Sequence, residues 1–229
     1  MRKEDEMIIV APRGELFNEK NYFNGISKDE NIIKEIIGKL DRAKTVMRRG
    51  SDKETWMPAS LNSELNFDYK QPIPYAVIRR GHEIFLYERL SGGGESRLHN
   101  KLSIGVGGHM NLTSFRFSDD LEVNIERELE EELIIDVELD PRCDQSEDNL
   151  KPEYKVIGLL NDDNNSVGQV HLGLFVIIDL HPNATVKVKE VEQLAGRFVS
   201  VSELAKPDIF DRLETWSQLA VDEIGVNWE

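Results

Sequence analysis

Residues 120–133 read DLEVNIERELEEEL, and this acidic stretch decides the fold that we expect. At about 100° per residue in a helix, its apolar residues form one i, i+4 stripe: Leu121, Ile125, Leu129 and Leu133. Glu128 and Glu132 project within about a quarter turn of that stripe, and Glu131 lies just beyond them. The other acidic residues of the stretch fall on the solvent side: Glu122, Glu126 and Glu130. The pattern therefore predicts a helix that turns at least two carboxylates toward the side on which it packs.

The same helix is a candidate metal site. We expect it to begin after Asp119 as the N-cap, with Glu122 three residues later as the partner in a capping box. Neighbouring carboxylates that lose hydration repel each other unless a cation pairs with them. A hard divalent cation prefers carboxylate oxygens, and one of the waters it keeps can serve as a nucleophile. The pattern therefore leaves two interpretations open: a solvated acidic face, or carboxylates that hold a divalent cation such as Mg²⁺ or Mn²⁺.

A Gly-Gly turn before the helix makes the pattern more specific. Residues 107–110 read GGHM, and the helix carries Arg-Glu-Leu-x-Glu-Glu. Together they resemble the signature of the Nudix hydrolase family, G-x5-E-x7-R-E-U-x-E-E-x-G-U, in which U is an apolar residue. Gly108 resembles the opening glycine, and these residues match the second half at the right spacing: Arg127, Glu128, Leu129, Glu131, Glu132 and Ile135. The resemblance covers about residues 70–205.

The chain departs from the signature in the loop and at the helix ends. The segment between Gly108 and Arg127 carries a short insertion. The first acidic position, counted back from Arg127, falls on Asp119 rather than on a glutamate. Ile134 stands where the signature has its closing glycine, which removes the usual left-handed C-cap. The carboxylates that the resemblance assigns to the metal are all retained.

The resemblance implies a fold and a set of metal ligands. The fold is α/β, an α/β/α sandwich with a mixed β-sheet, to which this chain adds an N-terminal helical extension. Glu128, Glu131 and Glu132 would bind the metal, and one of them would act as general base. Arg127 would form an ion pair that orients a neighbouring glutamate, and Gly108 would offer its carbonyl to the metal.

Further residues are candidates for the substrate site and for an additional carboxylate. Gly107 lets the backbone approach a phosphate. Arg89 and Lys101 are the basic residues that we favour for holding the phosphate of the substrate. Asp119 and Glu192 are candidates for an extra carboxylate, with helix capping and solvated charge as their respective alternatives.

Residues 1–66 are predicted to form an N-terminal extension, and residues 67–229 the hydrolase domain. Within the extension, the apolar residues of Asp29–Met47 recur at three- and four-residue spacing, which is typical of a helix. The stretch Arg48–Asn66 is polar and mixed in composition, so we interpret it as a linker that contains the boundary.

Short apolar runs predict the strands: Met7–Ala11, Pro74–Ile78, Glu83–Arg89, Lys101–Val106, Tyr154–Leu160, Gly168–Leu180 and Phe198–Val201. The second and third of these runs flank four residues and predict a hairpin. Ser200 and Glu203 predict a capping box before a short helical turn, and Phe210–Ile224 predicts a last helix. His171 lies in an apolar run, where we expect a core histidine.

The composition restricts the partners and the compartment. A formal net charge of −15 argues against nucleic acid as the main partner, because duplex binding needs a basic surface. It does not exclude a small phosphorylated substrate, since a bound cation reverses the local field. No apolar run approaches the roughly 20 residues of a membrane span, and the N-terminus lacks a signal-peptide pattern. The single cysteine, Cys143, indicates a reducing cytoplasm.

The resemblance, together with the acidic helix, implies a metal-dependent hydrolase that cleaves a phosphoanhydride bond by means of metal-activated water. The expected substrate is a nucleoside diphosphate linked to another moiety, or a related small phosphorylated molecule. The alternative is a nucleotide-sensing or regulatory module that keeps the Nudix-like fold and binds without hydrolysis. A third hypothesis uses Asp29–Met47 and the C-terminal helix as the surface of a homodimer.

Overall fold

The computed structural model describes residues 2–89, 101–137, 154–189 and 194–227. Its strands are β1 (Met7–Pro12), β2 (Gly25–Ser27), β3 (Thr45–Arg48), β4 (Tyr69–Arg80), β5 (Glu83–Arg89), β6 (Leu102–Ser103), β7 (Gly105–Val106), β8 (Leu133–Val137), β9 (Val156–Asn161), β10 (His171–Asp179), β11 (Ala184–Val188) and β12 (Leu194–Ser200). Its α-helices are α1 (Arg13–Leu16), α2 (Glu30–Ala43), α3 (Phe117–Glu132), α4 (Ser166–Val170), α5 (Val201–Leu204), α6 (Pro207–Phe210) and α7 (Thr215–Asn227). Short 3₁₀ turns cover Lys3–Asp5, Ala59–Leu61 and Ser63–Leu65.

The chain divides into two compact units. The first comprises Met1–Tyr75, Gly107–Glu126 and Val156–Phe175, and the second comprises Ala76–Val106, Arg127–Lys155 and Val176–Glu229. Strands β4 and β10 and helix α3 each contribute residues to both units. The domain boundary predicted between residues 66 and 67 stays a prediction.

In the first unit, β1 pairs antiparallel with β3, from Met7 opposite Arg48 to Val10 opposite Thr45. The last residues of β1 pair with the start of β4, and β2 pairs with β9. The residues of β1 from Ile8 to Ala11 are completely buried. The strand predicted from this apolar run is therefore confirmed, and it forms part of the core of the first unit.

Helix α2 is shorter than the apolar spacing predicted. Asp29 caps it by accepting hydrogen bonds from two backbone nitrogens of the first turn, and its inward face buries Ile36 and Leu40. The helix ends at Ala43, because the next residues form β3 and find their hydrogen-bond partners in β1. Two residues of β3 are β-branched, which suits a strand. The predicted helix end at Met47 is therefore wrong.

In the second unit, β5 pairs antiparallel with the end of β4 and, along its whole length, with β12. The turn between β4 and β5 contains Gly81 at φ +59°, a left-handed conformation that favours glycine. The predicted hairpin is confirmed, although β4 begins at Tyr69 rather than at Pro74. In the same unit β7 pairs with β4, β6 with β5, and β11 with β8.

Hydrogen bonds order the principal strands of the described residues as β12-β5-β4-β10-β9-β2. Strands β4 and β10 run parallel. At their carboxyl ends the nitrogen of Leu180 donates to the carbonyl of Arg79 at 2.8 Å, and farther back the rings of Tyr75 and Phe175 lie 6.4 Å apart. The β1–β3, β2–β9, β4–β5 and β5–β12 pairs are antiparallel. The sheet is therefore mixed, as predicted for an α/β fold.

Both ends of helix α3 differ from the prediction. It begins at Phe117, so Asp119 lies within the first turn and is not the N-cap. It ends at Glu132, and β8 begins with the next residue. The carbonyls of Glu130 and Glu132 accept hydrogen bonds from the Nζ atom and the backbone nitrogen of Lys189. The last turn is therefore capped without a left-handed glycine, and the residue at the position of that glycine continues β8.

The C-terminal helices partly follow the sequence pattern. The hydroxyl of Ser200 accepts a hydrogen bond from the nitrogen of Glu203 at 3.2 Å, so the predicted cap of α5 is present. The last helix begins at Thr215 rather than at Phe210, because the short α6 precedes it and the carboxylate of Glu214 caps α7. Within the described residues, no helix is long and apolar enough to cross a lipid bilayer.

Strand β10 begins at His171, three residues later than the apolar run predicted. Helix α4 occupies the residues before it and is capped by Asn165, whose side chain accepts a hydrogen bond from the nitrogen of Gly168 at 2.8 Å. The turn-rich residues 161–166 therefore lead into one helical turn and not directly into the strand.

Candidate functional site

Arg127 bridges two glutamates near the end of α3. Its Nη2 atom lies 2.7 Å from Oε1 of Glu128, and its Nη1 atom lies 3.2 Å from Oε1 of Glu131. The Glu128 side chain is 11% exposed, whereas that of Glu131 is 60% exposed. One guanidinium thus holds a buried and an exposed carboxylate. The expected ion pair of Arg127 is present, while its role in orienting a metal ligand stays a prediction.

Burial along α3 follows the apolar stripe. The stripe residues are between 1% and 8% exposed: Leu121, Ile125, Leu129 and Leu133. Glu128 is buried and Glu132 is half-buried, whereas Glu122 and Glu130 are exposed. The burial pattern agrees with the expectation that two carboxylates turn toward the packed side of the helix.

The helix carboxylates suit a hard divalent cation by their donor chemistry. Each offers oxygen ligands, and Mg²⁺ is usually held by one or two carboxylates, with waters and substrate phosphates as its other ligands. Within the described residues, the oxygens of these three glutamates do not form a three-ligand group within 4.8 Å. The assignment of Glu128, Glu131 and Glu132 as ligands of a cation stays a prediction.

The two aspartates at the start of α3 have different surroundings. Asp119 is 37% exposed and pairs with Arg116, which lowers the pKa of the Asp119 carboxyl. Asp120 is completely buried, and its Oδ1 atom accepts hydrogen bonds from two backbone nitrogens of the preceding loop, each at 2.7 Å. Its Oδ2 atom lies 2.6 Å from Nζ of Lys44. Burial alone would raise the pKa of Asp120, but Lys44 and the backbone donors outweigh it and lower the pKa.

The Gly-Gly turn lies against β4. A Cβ atom on Gly107 would be 1.7 Å from the carbonyl oxygen of Pro74, so the site has no room for a side chain. Farther along, the carbonyl of Met110 accepts a hydrogen bond from a backbone nitrogen of β1 at 2.7 Å. The side chain of Asn124 bonds to both backbone groups of Asn111, at 2.8 and 2.9 Å. Packing thus explains the first glycine, and the roles predicted for both glycines at metal or phosphate stay predictions.

The residues predicted to hold phosphate or to add a carboxylate are only partly described. Lys101 is exposed just before β6. The backbone of Arg89 lies opposite Leu194 in the β5–β12 pair, but the Arg89 side chain lies outside the described residues. Glu192 also lies outside the described residues. Their assignments stay predictions.

Three side chains that the sequence patterns did not connect converge in the first unit. The Oε1 atom of Glu64 lies 3.2 Å from Nε2 of His109 and 3.8 Å from Nε2 of His171, and the two Nε2 atoms are 3.4 Å apart. The side chains are 6%, 12% and 8% exposed, respectively. Burial lowers the pKa of His109, which favours its neutral imidazole. Within the described residues, these three form the group that could hold a metal ion.

A buried cluster of charges supports the segment that carries His171. The Nζ atom of Lys70 donates to the carbonyls of Gly168 and His171, at 2.7 and 3.1 Å, and lies 2.9 Å from Oδ1 of Asp163. Arg13 pairs with the same carboxylate. Burial lowers the pKa of Lys70 to about 8. Burial would raise the pKa of Asp163, but its two cationic partners outweigh burial and lower it.

Comparisons with known proteins define the family and the fold. No protein-family model matches the chain. YmaB of Bacillus subtilis strain 168 is 48% identical over 225 residues, which cover 97% of this chain and 98% of YmaB. The chain belongs to the YmaB family. The crystal structure of Tm1382, a protein proposed to be a Nudix hydrolase, matches with a TM-score of 0.66 at 23% identity, and the match covers 96% of this chain and 98% of Tm1382. This member of the YmaB family therefore has the Nudix fold, as the resemblance implied.

In this YmaB-family chain, the sequence pattern located the acidic helix and missed the cluster in the first unit. Glu64 falls in the segment interpreted as a linker, yet it is 6% exposed. His171 is buried, as expected of a core histidine, but its Nε2 atom faces the other two side chains. His109, which follows the glycine pair directly, is the member of the cluster that the sequence could have indicated. No spacing joined the three, because they come from distant parts of the chain.

Proposed function

We propose that this protein is a Nudix-type pyrophosphohydrolase that depends on Mg²⁺ or Mn²⁺. The observation that carries the proposal is the arrangement of glutamates around Arg127 on α3, within a chain that has the Nudix fold. The substrate is a nucleoside diphosphate linked to another moiety, or a related small phosphorylated molecule. The bond that breaks is the phosphoanhydride.

The chain supplies ligands, a fixed geometry and a base. Glu128 and Glu132 are the ligands that we favour, because they lie closest to the buried side of α3. When bound, the cation activates a water and neutralises phosphate charge. Arg127 restrains Glu128 and Glu131, so less side-chain freedom is lost when the site assembles. One of the three glutamates accepts a proton from the attacking water.

The substrate would be held partly by basic residues of the second unit. Lys101 and Arg89 belong to the same compact unit as the three glutamates, which supports their proposed role at the phosphates. The single cysteine supports a reducing compartment, and we place the activity in the cytoplasm.

The proposal is tested by measuring phosphate and nucleotide release from four substrate classes, with Mg²⁺ or Mn²⁺ present. The classes are nucleoside triphosphates, nucleotide sugars, dinucleoside polyphosphates and dinucleotide cofactors. At least one class is expected to turn over. Glu128→Gln, Glu131→Gln and Glu132→Gln are then assayed on that substrate, and at least one of them should lower kcat by about 10²–10⁴, the contribution typical of a general base.

Glu130→Gln is the matched control, because Glu130 lies on the same helix but is exposed on the opposite side. Its kcat should equal that of the unmodified protein. Full turnover by all three glutamine variants, or no turnover of any class, would contradict the proposal. Calorimetric binding of a nucleotide without turnover would favour the sensing module instead.

A further inference from the structure

We propose that Glu64, His109 and His171 form a zinc site, built from residues other than the carboxylates of α3. The proposal does not rest on the hydrolase activity. It rests on the distances between the three ligand atoms, on the direction in which they point, and on the hydrogen bonds that hold each of them.

Two of the three separations between ligand atoms are close to those of tetrahedral zinc. Two ligands at tetrahedral angles, each about 2.0–2.1 Å from Zn²⁺, are about 3.3–3.4 Å apart. The three separations among Glu64, His109 and His171 are 3.2, 3.4 and 3.8 Å. Adjacent ligands in an octahedral Mg²⁺ site are closer together, at about 3.0 Å. One ion can therefore reach all three atoms with ordinary bond lengths after only small adjustments.

The coordinating edges of the two imidazoles face each other. The ring centroids of His109 and His171 are 5.4 Å apart, whereas their Nε2 atoms are 3.4 Å apart. The Nδ1 atom of His171 lies 2.7 Å from the carbonyl of Val167. A carbonyl can only accept, so Nδ1 carries a proton, and in the neutral imidazole Nε2 then presents a lone pair. This is the arrangement in which a backbone carbonyl orients a metal-bound histidine.

The turn that carries Glu64 is held by the backbone around it. Asn62 caps this turn by accepting a hydrogen bond from the nitrogen of Glu64. The same nitrogen donates to the carbonyl of Arg49, and the hydroxyl of Ser63 donates to that carbonyl at 2.7 Å. Gln71 donates to the carbonyl of Ser63 at 3.0 Å. The backbone that carries the Glu64 carboxylate is therefore fixed, as a preorganised ligand requires.

The two histidines are also fixed through neighbouring backbone. The carbonyl of Met110, next to His109, is bound by the nitrogen of Ile9 at 2.7 Å. The carbonyl of His171 accepts a hydrogen bond from Lys70, which the carboxylate of Asp163 holds in place. The three ligands thus come from three separate segments of the first unit, and a bound ion would tie these segments together.

The donor set and the burial favour zinc over magnesium. Two imidazole nitrogens with one carboxylate suit Zn²⁺, whereas Mg²⁺ prefers oxygen ligands alone. A carboxylate as buried as Glu64, which is 6% exposed, is stabilised by a nearby positive charge. Three protein ligands leave the fourth tetrahedral position open for water or another small ligand, as in catalytic zinc sites.

The test is a calorimetric titration of chelator-treated, dialysed full-length protein with Zn²⁺. One Zn²⁺ per chain is expected. His109→Asn and His171→Asn should each weaken binding by at least about 100-fold, because the effect should exceed that of losing an outer-shell partner. Glu64→Gln should weaken it as well. Replacement of zinc by Co²⁺ should give the visible spectrum of a tetrahedral site in the unmodified protein and not in the histidine variants.

Two controls separate this site from other zinc binding. His82→Asn removes an exposed histidine from the β4–β5 turn and should leave the affinity unchanged. The double variant Glu128→Gln/Glu132→Gln should keep one Zn²⁺ per chain and the cobalt spectrum, even if it abolishes hydrolysis. Loss of zinc from that double variant, with retention in His109→Asn, would place the ion on α3 and overturn the proposal.

Folding of each variant is checked by circular dichroism before titration. If His171→Asn does not fold, His109→Asn and Glu64→Gln test the same site, because each removes a different ligand. X-ray absorption of the zinc-loaded unmodified protein gives an independent result, with two imidazole ligands and one carboxylate expected. The absence of bound zinc, or a spectrum without imidazole ligands, contradicts the proposal.

Discussion

The Nζ atom of Lys44 lies 2.6 Å from Oδ2 of Asp120, and the two side chains are only 8% and 0% exposed. The other oxygen of Asp120 accepts hydrogen bonds from the backbone nitrogens of Thr113 and Ser114. One buried carboxylate therefore joins Lys44, the residue directly after α2, to the loop that leads into α3. The sequence pattern had pointed to the neighbouring Asp119, which is half-buried and pairs with Arg116 within the same stretch of chain.

Asp120→Asn is expected to lower the free energy of unfolding by about 3–5 kcal/mol at pH 7, because it leaves Lys44 buried without its counter-charge. The folded pKa of Asp120 is depressed, so its contribution is present above the unfolded pKa of about 3.9 and is lost as pH falls through the lower folded value. Urea denaturation from pH 7 to below pH 4 measures this contribution. The difference in the free energy of unfolding between the variant and the unmodified protein should shrink as the pH falls. Asp119→Asn should have a much smaller effect, and equal losses would contradict the assignment.

Asp163→Asn is expected to destabilise the first unit, because Lys70 is completely buried and both Lys70 and Arg13 pair with this carboxylate. Removal of one partner from a buried ion pair costs about 3–5 kcal/mol. Asp179→Asn is the control, since Asp179 is 61% exposed where it pairs with Arg79. A surface pair of this kind contributes about 0–1 kcal/mol. Chemical denaturation should show a larger loss of stability in Asp163→Asn than in Asp179→Asn. A larger loss in Asp179→Asn would contradict the assignment of Asp163 as the buried partner.

Gly107→Ala is expected to destabilise the protein, because the added Cβ would lie 1.7 Å from the carbonyl oxygen of Pro74. Overpacking of this kind costs about 1–3 kcal/mol, and more where backbone must move. Gly14→Ala is the matched control, since no atom lies within 4 Å of its added Cβ. Thermal unfolding should show a lower Tm for Gly107→Ala alone. Unchanged stability in both variants would show that packing does not require glycine at this position.

Arg127→Gln is expected to weaken binding of Mn²⁺ by about 10–100-fold, the range found when a residue that orients metal ligands is removed. The reason is that Arg127 restrains Glu128 and Glu131 together. Arg197→Gln, which removes an exposed guanidinium paired with Glu203, should leave the affinity unchanged. Titration of Mn²⁺ followed by electron paramagnetic resonance measures both. Tighter binding in Arg127→Gln would instead mean that the arginine competes with the metal.

Local patterns predicted the elements whose structure depends on neighbours in the chain. The i, i+4 stripe of α3 is buried from Leu121 to Leu133, as its spacing requires. The hairpin forms around Gly81, and Ser200 caps α5. In each case the residues that decide the structure lie within a few positions of one another. The acidic triplet could be found in the same way, because its carboxylates project from one helix.

Distant contacts decided the helix ends. The residues from Thr45 onward continue the helical spacing of α2, but β1 pairs with them as a strand. Lys189 donates hydrogen bonds to two backbone carbonyls in the last turn of α3, so the glycine of the signature is not needed to cap this helix. Neither partner is visible in a local window of sequence, because each lies far along the chain.

The amino-acid order alone was enough to predict the acidic helix and the neighbouring glycine turn, because periodicity and spacing encode them. The mixed α/β fold followed from the resemblance of these residues to the Nudix signature. The amino-acid order could not bring Glu64 together with His109 and His171, nor choose Asp120 over Asp119 as the buried carboxylate. Those outcomes depend on the folded backbone, which places residues from separate segments within 4 Å of one another. The partner and the burial of a side chain depend on which segments the fold brings together. The tertiary structure therefore decided which charged side chains are buried and with which residues they pair.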